Sequence, residues 1–208
     1  MKKTLLVIAF FSGTYSLLPA QTYLGISAGP TFGSMKTKIE NESVSSQYLT
    51  GFMAGLNASV SLTKNISVRP EINFVQKGAS AEIENENGKE TTKFNCLEFP
   101  LNLVFNNQSK MGKFFVGGGP SITYSIMGKY KYDGELPERA DLSFGKANYD
   151  DFKSFEFGIN ALIGYQLTNG LYLAANYNQG LTNLINIPLA EVHSNYFGIR
   201  LGMMLKGQ

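Results

Sequence analysis

Along residues 154–167, SFEFGINALIGYQL, every second position is apolar: Phe155, Phe157, Ile159, Ala161, Ile163, Tyr165 and Leu167. The positions between are Ser154, Glu156, Gly158, Asn160, Leu162, Gly164 and Gln166, polar or small in every case but one. A period of two belongs to a β-strand, whose successive side chains leave opposite faces. The alternation recurs in TYLGISAGPTFG (22–33), GFMAGLNASVSL (51–62), ISVRPEINFVQK (66–77) and LEFPLNLVFN (97–106). It continues in FFVGGGPSITYSI (114–126), LYLAANYNQ (171–179) and YFGIRLGMML (196–205). Eight such segments of about ten residues, with no comparable stretch of helical period, predict an all-β chain.

The connections sort by length. Short links at 63–65, 107–113 and 168–170 alternate with long polar ones at 34–50, 78–96, 127–153 and 180–195. Strict alternation puts all short turns at one end of a meander and all long loops at the other, the form of an up-and-down barrel in an outer membrane. Three features decide which solvent meets the apolar face. The segments have the length that a tilted strand needs to cross a bilayer. An aromatic stands near the long-loop end of each apolar face: Phe32, Phe52, Phe74, Phe99, Tyr124, Phe155, Tyr177 and Phe197. Phe105, Phe114 and Tyr165 stand near the other end, so two interfacial girdles are expected. Finally, the charges Arg69, Glu71, Lys77, Glu98, Glu156 and Arg200 all fall on the opposite register. A Lys or Arg on the lipid side would cost about 2–4 kcal/mol at mid-membrane. A soluble barrel would carry the reverse arrangement. The expected fold is therefore an eight-stranded antiparallel up-and-down transmembrane β-barrel, all-β, its apolar face toward lipid. Glycines at 25, 55, 117, 119, 158, 164, 198 and 202 fall on the inner register and leave room for long side chains in a narrow lumen.

Composition changes this picture at the N-terminus. Lys2 and Lys3 precede an apolar stretch and a Pro19-Ala20 junction, the pattern of a secretory signal peptide cleaved after Ala20. The expected division is a signal at 1–20 and an outer-membrane barrel domain at 21–208. Loss of Lys2 and Lys3 leaves 16 basic and 16 acidic residues, a balance unlike a nucleic-acid surface. Cys96 is the sole cysteine, so the fold holds without an intramolecular disulfide. The mature sequence contains no apolar run long enough for a spanning helix.

The chain resembles the PorT-like outer-membrane β-barrel family of Bacteroidetes through a series of landmarks in matching order. They are ISVRPEINFVQKG, LEFPLNLVF, FFVGGGPSITYS, and FEFGINALIGYQL followed by LYLAANYNQGLTN. The resemblance covers nearly all of the mature chain. It implies an eight-stranded outer-membrane barrel, and the secretion-associated PorT proteins form one of its branches.

Candidate chemistry is sparse. The sequence has no HExxH, CxxC, P-loop or GxSxG pattern, so no metal, phosphate or cofactor site is expected. The single histidine, His193, and the loop acids Asp141, Asp150 and Asp151 are the only group from which a loop-rim enzyme site could be assembled, and a solvated role is the expectation for them. Arg69, Glu71, Glu98 and Arg200 share the inner register, two charges of each sign. They are expected to form an ion-pair cluster that plugs the lumen rather than an ion-selective ring. Loop 127–153, with Tyr130, Tyr132 and Tyr149 among charges of both signs, is the expected surface for a protein partner. The function expected is that of a monomeric, non-catalytic barrel with a structural, surface-interaction or secretion-associated role. A narrow channel for small solutes is the alternative, and an outer-membrane enzyme a second.

Overall fold

Each alternating segment forms a strand, and the strands pair in sequence order around a ring. The computed structural model describes residues 22–39, 42–83, 88–134, 136–145, 151–187 and 189–206; the expected signal segment lies outside them, as do Tyr149 and Asp150. The strands of the ring are β1 (Thr22–Ile39), β3 (Gln47–Ser61), β4 (Ile66–Ile83), β5 (Gly88–Ser109), β6 (Gly112–Asp133), β8 (Phe155–Leu167), β9 (Leu171–Gly180) and β10 (Ala190–Lys206). Two short strands, β2 (Glu42–Ser45) and β7 (Glu138–Leu142), sit at the long-loop end beside β1 and β6. All ring pairings are antiparallel, and β10 pairs with β1 from Tyr23↔Lys206 to Ile39↔Ala190, which closes the sheet. Closure satisfies the backbone without an open edge, the condition for any sheet in hydrocarbon. No helix among the described residues is long and apolar enough to cross a membrane.

The short turns are built from local hydrogen bonds. Thr63 Oγ1 accepts from the amides of Asn65 and Ile66, and Asn169 Oδ1 accepts from the amide of Leu171. Gly170 takes a φ of 92°, a left-handed value that suits glycine.

The two faces are inverted relative to a soluble barrel. Leu24, Ile26, Leu56, Ile72, Leu101, Leu103, Ile159, Leu173 and Leu201 are 51–60% exposed on the outside. The charged residues Arg69, Glu71, Lys77, Glu98, Glu156 and Arg200 are at most 4% exposed inside. Aromatic residues meet across strands in the upper girdle: Phe32 lies opposite Phe197, and Phe197 opposite Tyr177. The Tyr124 and Phe155 rings are 4.9 Å apart, and those of Phe52 and Phe74 5.4 Å apart. Such rows add contact energy between neighbouring strands and lie at headgroup depth.

The strands run further than the apolar alternation. Segments 78–83 and 88–96, read as loop, continue β4 and β5 as a paired hairpin, Lys77↔Phe94 through Ile83↔Gly88. Residues 127–133 likewise extend β6, and β7 adds to it. Here the outer face meets water and the inner face carries only scattered apolar residues such as Ala79 and Phe94, so hydrogen-bond pairing persists without a continuous apolar face to advertise it. Register irregularities fall at Tyr48/Met53 and Asn95/Cys96, where the spanning wall passes into this extension.

Candidate functional site

The lumen is filled in layers. Nearest the short turns, Val104, Phe115, Leu162, Tyr172, Ala174 and Met204 form an apolar plug. The rings of Phe115 and Tyr172 meet edge to face, with centroids 6.1 Å apart. Gly164 and Gly202 make this possible, because a Cβ at either would stand 2.4 Å from Phe115 Cζ or 2.3 Å from Tyr172 Cζ.

Above the plug, Arg200 grips Glu71 with two parallel bonds, Nη1 to Oε2 at 2.5 Å and Nη2 to Oε1 at 3.0 Å. Bidentate geometry makes the strongest use of a guanidinium. Asparagine amides complete the carboxylate: Nδ2 of Asn73 and of Asn102 donate to Glu71 at 3.1 and 3.3 Å. Asn160 in turn donates to Asn102, and Asn57 to the Tyr172 hydroxyl. Arg69 lies over the Phe115 ring at 4.6 Å, a cation–π contact. Its Nε and Nη2 have no hydrogen-bond partner.

A third layer of Met53, Val75 and Tyr196 follows, and the Tyr196 hydroxyl donates to Glu98 Oε1 at 2.7 Å. Next comes a second ion pair, Lys77 with Glu156. Ser194 bridges it, accepting from Lys77 Nζ at 2.7 Å and donating to Glu156 Oε1 at 2.8 Å. The outer end is covered by Met35, Phe94, Cys96, Leu184, Ile185 and Val192, with Phe144 and Phe152 packed against them. Phe94 meets both of those rings edge to face, at 5.4 and 4.8 Å. Beside this cap, the β1–β2 hairpin and the β4–β5 extension bound an open cleft of about 520 Å³.

Of the four lumen charges expected to cluster, Glu71 and Arg200 are joined directly, while Arg69 contacts an aromatic ring and Glu98 a tyrosine hydroxyl. Lys77 and Glu156 share the inner register in the sequence but are not among the four residues expected to cluster. They lie on β4 and β8, which do not adjoin, and parity along a strand says nothing about pairs across a lumen. The outer cap was also missed, because Phe144, Phe152, Leu184 and Ile185 sit in segments that read as polar loops. The loop-rim candidates do not converge. His193 Nε2 is 3.8 Å from Glu191, Asp151 accepts from the amide and hydroxyl of Ser143, and Asp141 lies exposed on β7. Among the described residues no group of three His, Cys, Asp or Glu is arranged to hold a metal ion.

A family model described as "Outer membrane protein beta-barrel domain" matches residues 19–186. The attachment invasion locus protein Ail of Yersinia pestis, solved with the heparin analogue sucrose octasulfate, is 13% identical, with a TM-score of 0.47 over 89% of this chain and 99% of that one. Neisserial surface protein A is 11% identical, with a TM-score of 0.43 over 88% and 96%. OprG of Pseudomonas aeruginosa is 9% identical, with a TM-score of 0.43 over 90% and 97%. A search of curated proteins returns no match.

Proposed function

The chain belongs to the outer membrane protein β-barrel domain family, and we propose that it serves in that membrane as a closed, non-catalytic barrel whose outer extension is an interaction surface. The filled lumen is the observation that carries this reading. A channel needs a continuous polar path, whereas here apolar clusters occupy both ends, and between them Arg200 pairs with Glu71, Lys77 with Glu156, Arg69 lies on Phe115 and Glu98 accepts from Tyr196. A barrel of eight strands has an interior only just wide enough for such side chains.

The surface itself is the hairpin of β4 and β5, together with β6 and β7, which stands above the girdle as paired strands. Tyr130 and Tyr132 lie on it, and amphipathic aromatics suit partner surfaces. The Tyr130 hydroxyl donates to Glu90 Oε1 at 2.7 Å, and this bond pushes the phenol up to about 12. A paired ledge loses less conformational freedom on docking than a loose loop would. The PorT-like landmarks favour a secretion-associated partner. In this reading residues 1–20 are an export signal removed after Ala20, and the barrel is monomeric.

The test is crosslinking in intact outer membranes from a photoreactive side chain at Leu136, 83% exposed at the outer end, against one at Met111, 75% exposed at the short-turn end. A discrete protein adduct from Leu136 and not from Met111 is expected. No adduct from Leu136, or the same adducts from both, contradicts the reading.

A further inference from the structure

The outside wall of the extension carries a cationic patch directly above the lipid-facing surface. Its orientation follows from Phe94, which points inward into the cap, so that Lys93 points outward. Lys93 lies opposite Lys129 on β6, and Lys129 opposite Asp141 on β7. Two residues further out, Thr91 lies opposite Lys131, and Lys131 opposite Arg139. Residues directly opposite in a sheet share a face, with rows about 7 Å apart along the strand. These six residues line a groove of about 560 Å³.

Charge is graded along this wall. The two rows nearest the membrane hold Lys93, Lys129, Lys131 and Arg139 against one acid, Asp141. The next row out holds Glu82, Lys89 and Asp133, with Glu82 opposite Lys89 and Lys89 opposite Asp133. Asp133 reaches back to Lys131 at 2.6 Å, leaving Lys93, Lys129 and Arg139 as the cations nearest the bilayer. The last lipid-facing side chains on β6 are Ile126 and Met127, 47% and 48% exposed. Lys129 follows within about 10 Å at the rise of a strand. That is headgroup depth, above a greasy wall that fixes the barrel vertically.

We propose that this groove binds the phosphate groups of an anionic glycolipid in the outer leaflet. Cations at this depth meet fixed negative charge in a region of reduced dielectric, where each is worth more than in bulk water. The gradation argues for a ligand presented from the membrane side, since a soluble anion approaching from outside would first meet Glu82 and Asp133. The proposal rests on the barrel being membrane-embedded, and is independent of any protein partner.

The experiment uses the full mature chain folded in zwitterionic detergent, with diphosphorylated lipid A as the probe and its dephosphorylated form as control. The wild type should bind the phosphorylated lipid about tenfold or more tightly than the dephosphorylated one. The triple variant Lys93→Gln/Lys129→Gln/Arg139→Gln should lose that preference and keep its heat-modifiable gel shift. Lys64→Gln/Lys110→Gln, at the short-turn end, should retain it. Equal binding of the two lipids by the wild type overturns the proposal without reference to any variant. So does an unchanged preference in the triple variant, or inorganic pyrophosphate or heparin binding as tightly as the lipid, which would mark a site for soluble anions. Flotation of the same protein with phosphatidylcholine vesicles separates the two levels: a barrel that floats but shows no preference refutes the lipid site alone, and one that does not float refutes membrane embedding.

Discussion

Changing Arg200 to methionine removes both bonds to Glu71 and leaves a carboxylate whose side chain is 1% exposed. Breaking a buried pair from one side typically costs about 3–5 kcal/mol, because the remaining charge has lost its compensation. The surroundings decide where in that range each variant falls. The layer holds Arg69 and Arg200 against Glu71 alone, a net charge of one positive. Arg69 shares the inner face of β4 with Glu71, two residues and about 7 Å away. Arg200→Met therefore leaves a neutral Arg69–Glu71 couple with the asparagine bonds intact, and about 3 kcal/mol is expected. Glu71→Gln leaves two buried guanidinium groups facing each other, and about 5 kcal/mol is expected. The double variant Glu71→Leu/Arg200→Met restores the original net charge with apolar volume. It should be far more stable than the two single losses added together. The chain has no tryptophan, so unfolding in urea is followed by far-UV circular dichroism and by the gel shift of the folded barrel. Single variants within about 1 kcal/mol of wild type, or a double variant that merely adds the singles, would refute the reasoning.

Four further outcomes follow from the same geometry. Gly202→Val should destabilise by about 1–3 kcal/mol through overpacking against Tyr172, measured by the same urea titration. Leu103→Arg, on the lipid face between the girdles, should cost about 2–4 kcal/mol in vesicles, whereas Leu136→Arg at the outer end should cost almost nothing. Planar-bilayer recording should give no stable steps of general-porin size, and Phe115→Ala should open none, because the outer cap still closes the lumen. The Tyr130 phenol is held up to about 12 by its bond to Glu90. A folded value raised above the usual 10 contributes stability that is present below pH 10 and lost as pH rises through about 12; absorbance titration of wild type against Tyr130→Phe should reveal the late transition.

How far the sequence carried depended on what each contact encodes. Strand number, ring order and the facing of Phe157 or Arg69 follow from alternation, because each inward residue is flanked by outward ones. Lys77 with Glu156 and Glu98 with Tyr196 are contacts across the lumen. They depend on stagger between strands that are not neighbours, and no local pattern records it. The outer extension was hidden for another reason. Residues 88–96, GKETTKFNC, pair with β4 and β6, yet only Phe94 and Cys96 on their inner face are apolar, so no regular hydrophobic period forms while the hydrogen bonds remain. Phe144 and Phe152 are isolated apolar residues among polar ones, Leu184 and Ile185 stand in a segment without a period of two, and only the closed ring brings them to one place above Phe94.

The central claim is that the apolar register of SFEFGINALIGYQL meets lipid, and spin labelling tests it most directly. In a Cys96→Ser background, nitroxides at Phe157, Ile159, Ala161 and Ile163, all on the outward register of β8, are compared with one at Leu136 in barrels folded into vesicles. Molecular oxygen should relax the four β8 labels strongly and a water-soluble nickel chelate weakly, with the ratio peaking near the middle of the strand and reversing at Leu136. Labels at 157–163 that the nickel chelate reaches as readily as Leu136 would place that face in water and contradict the account.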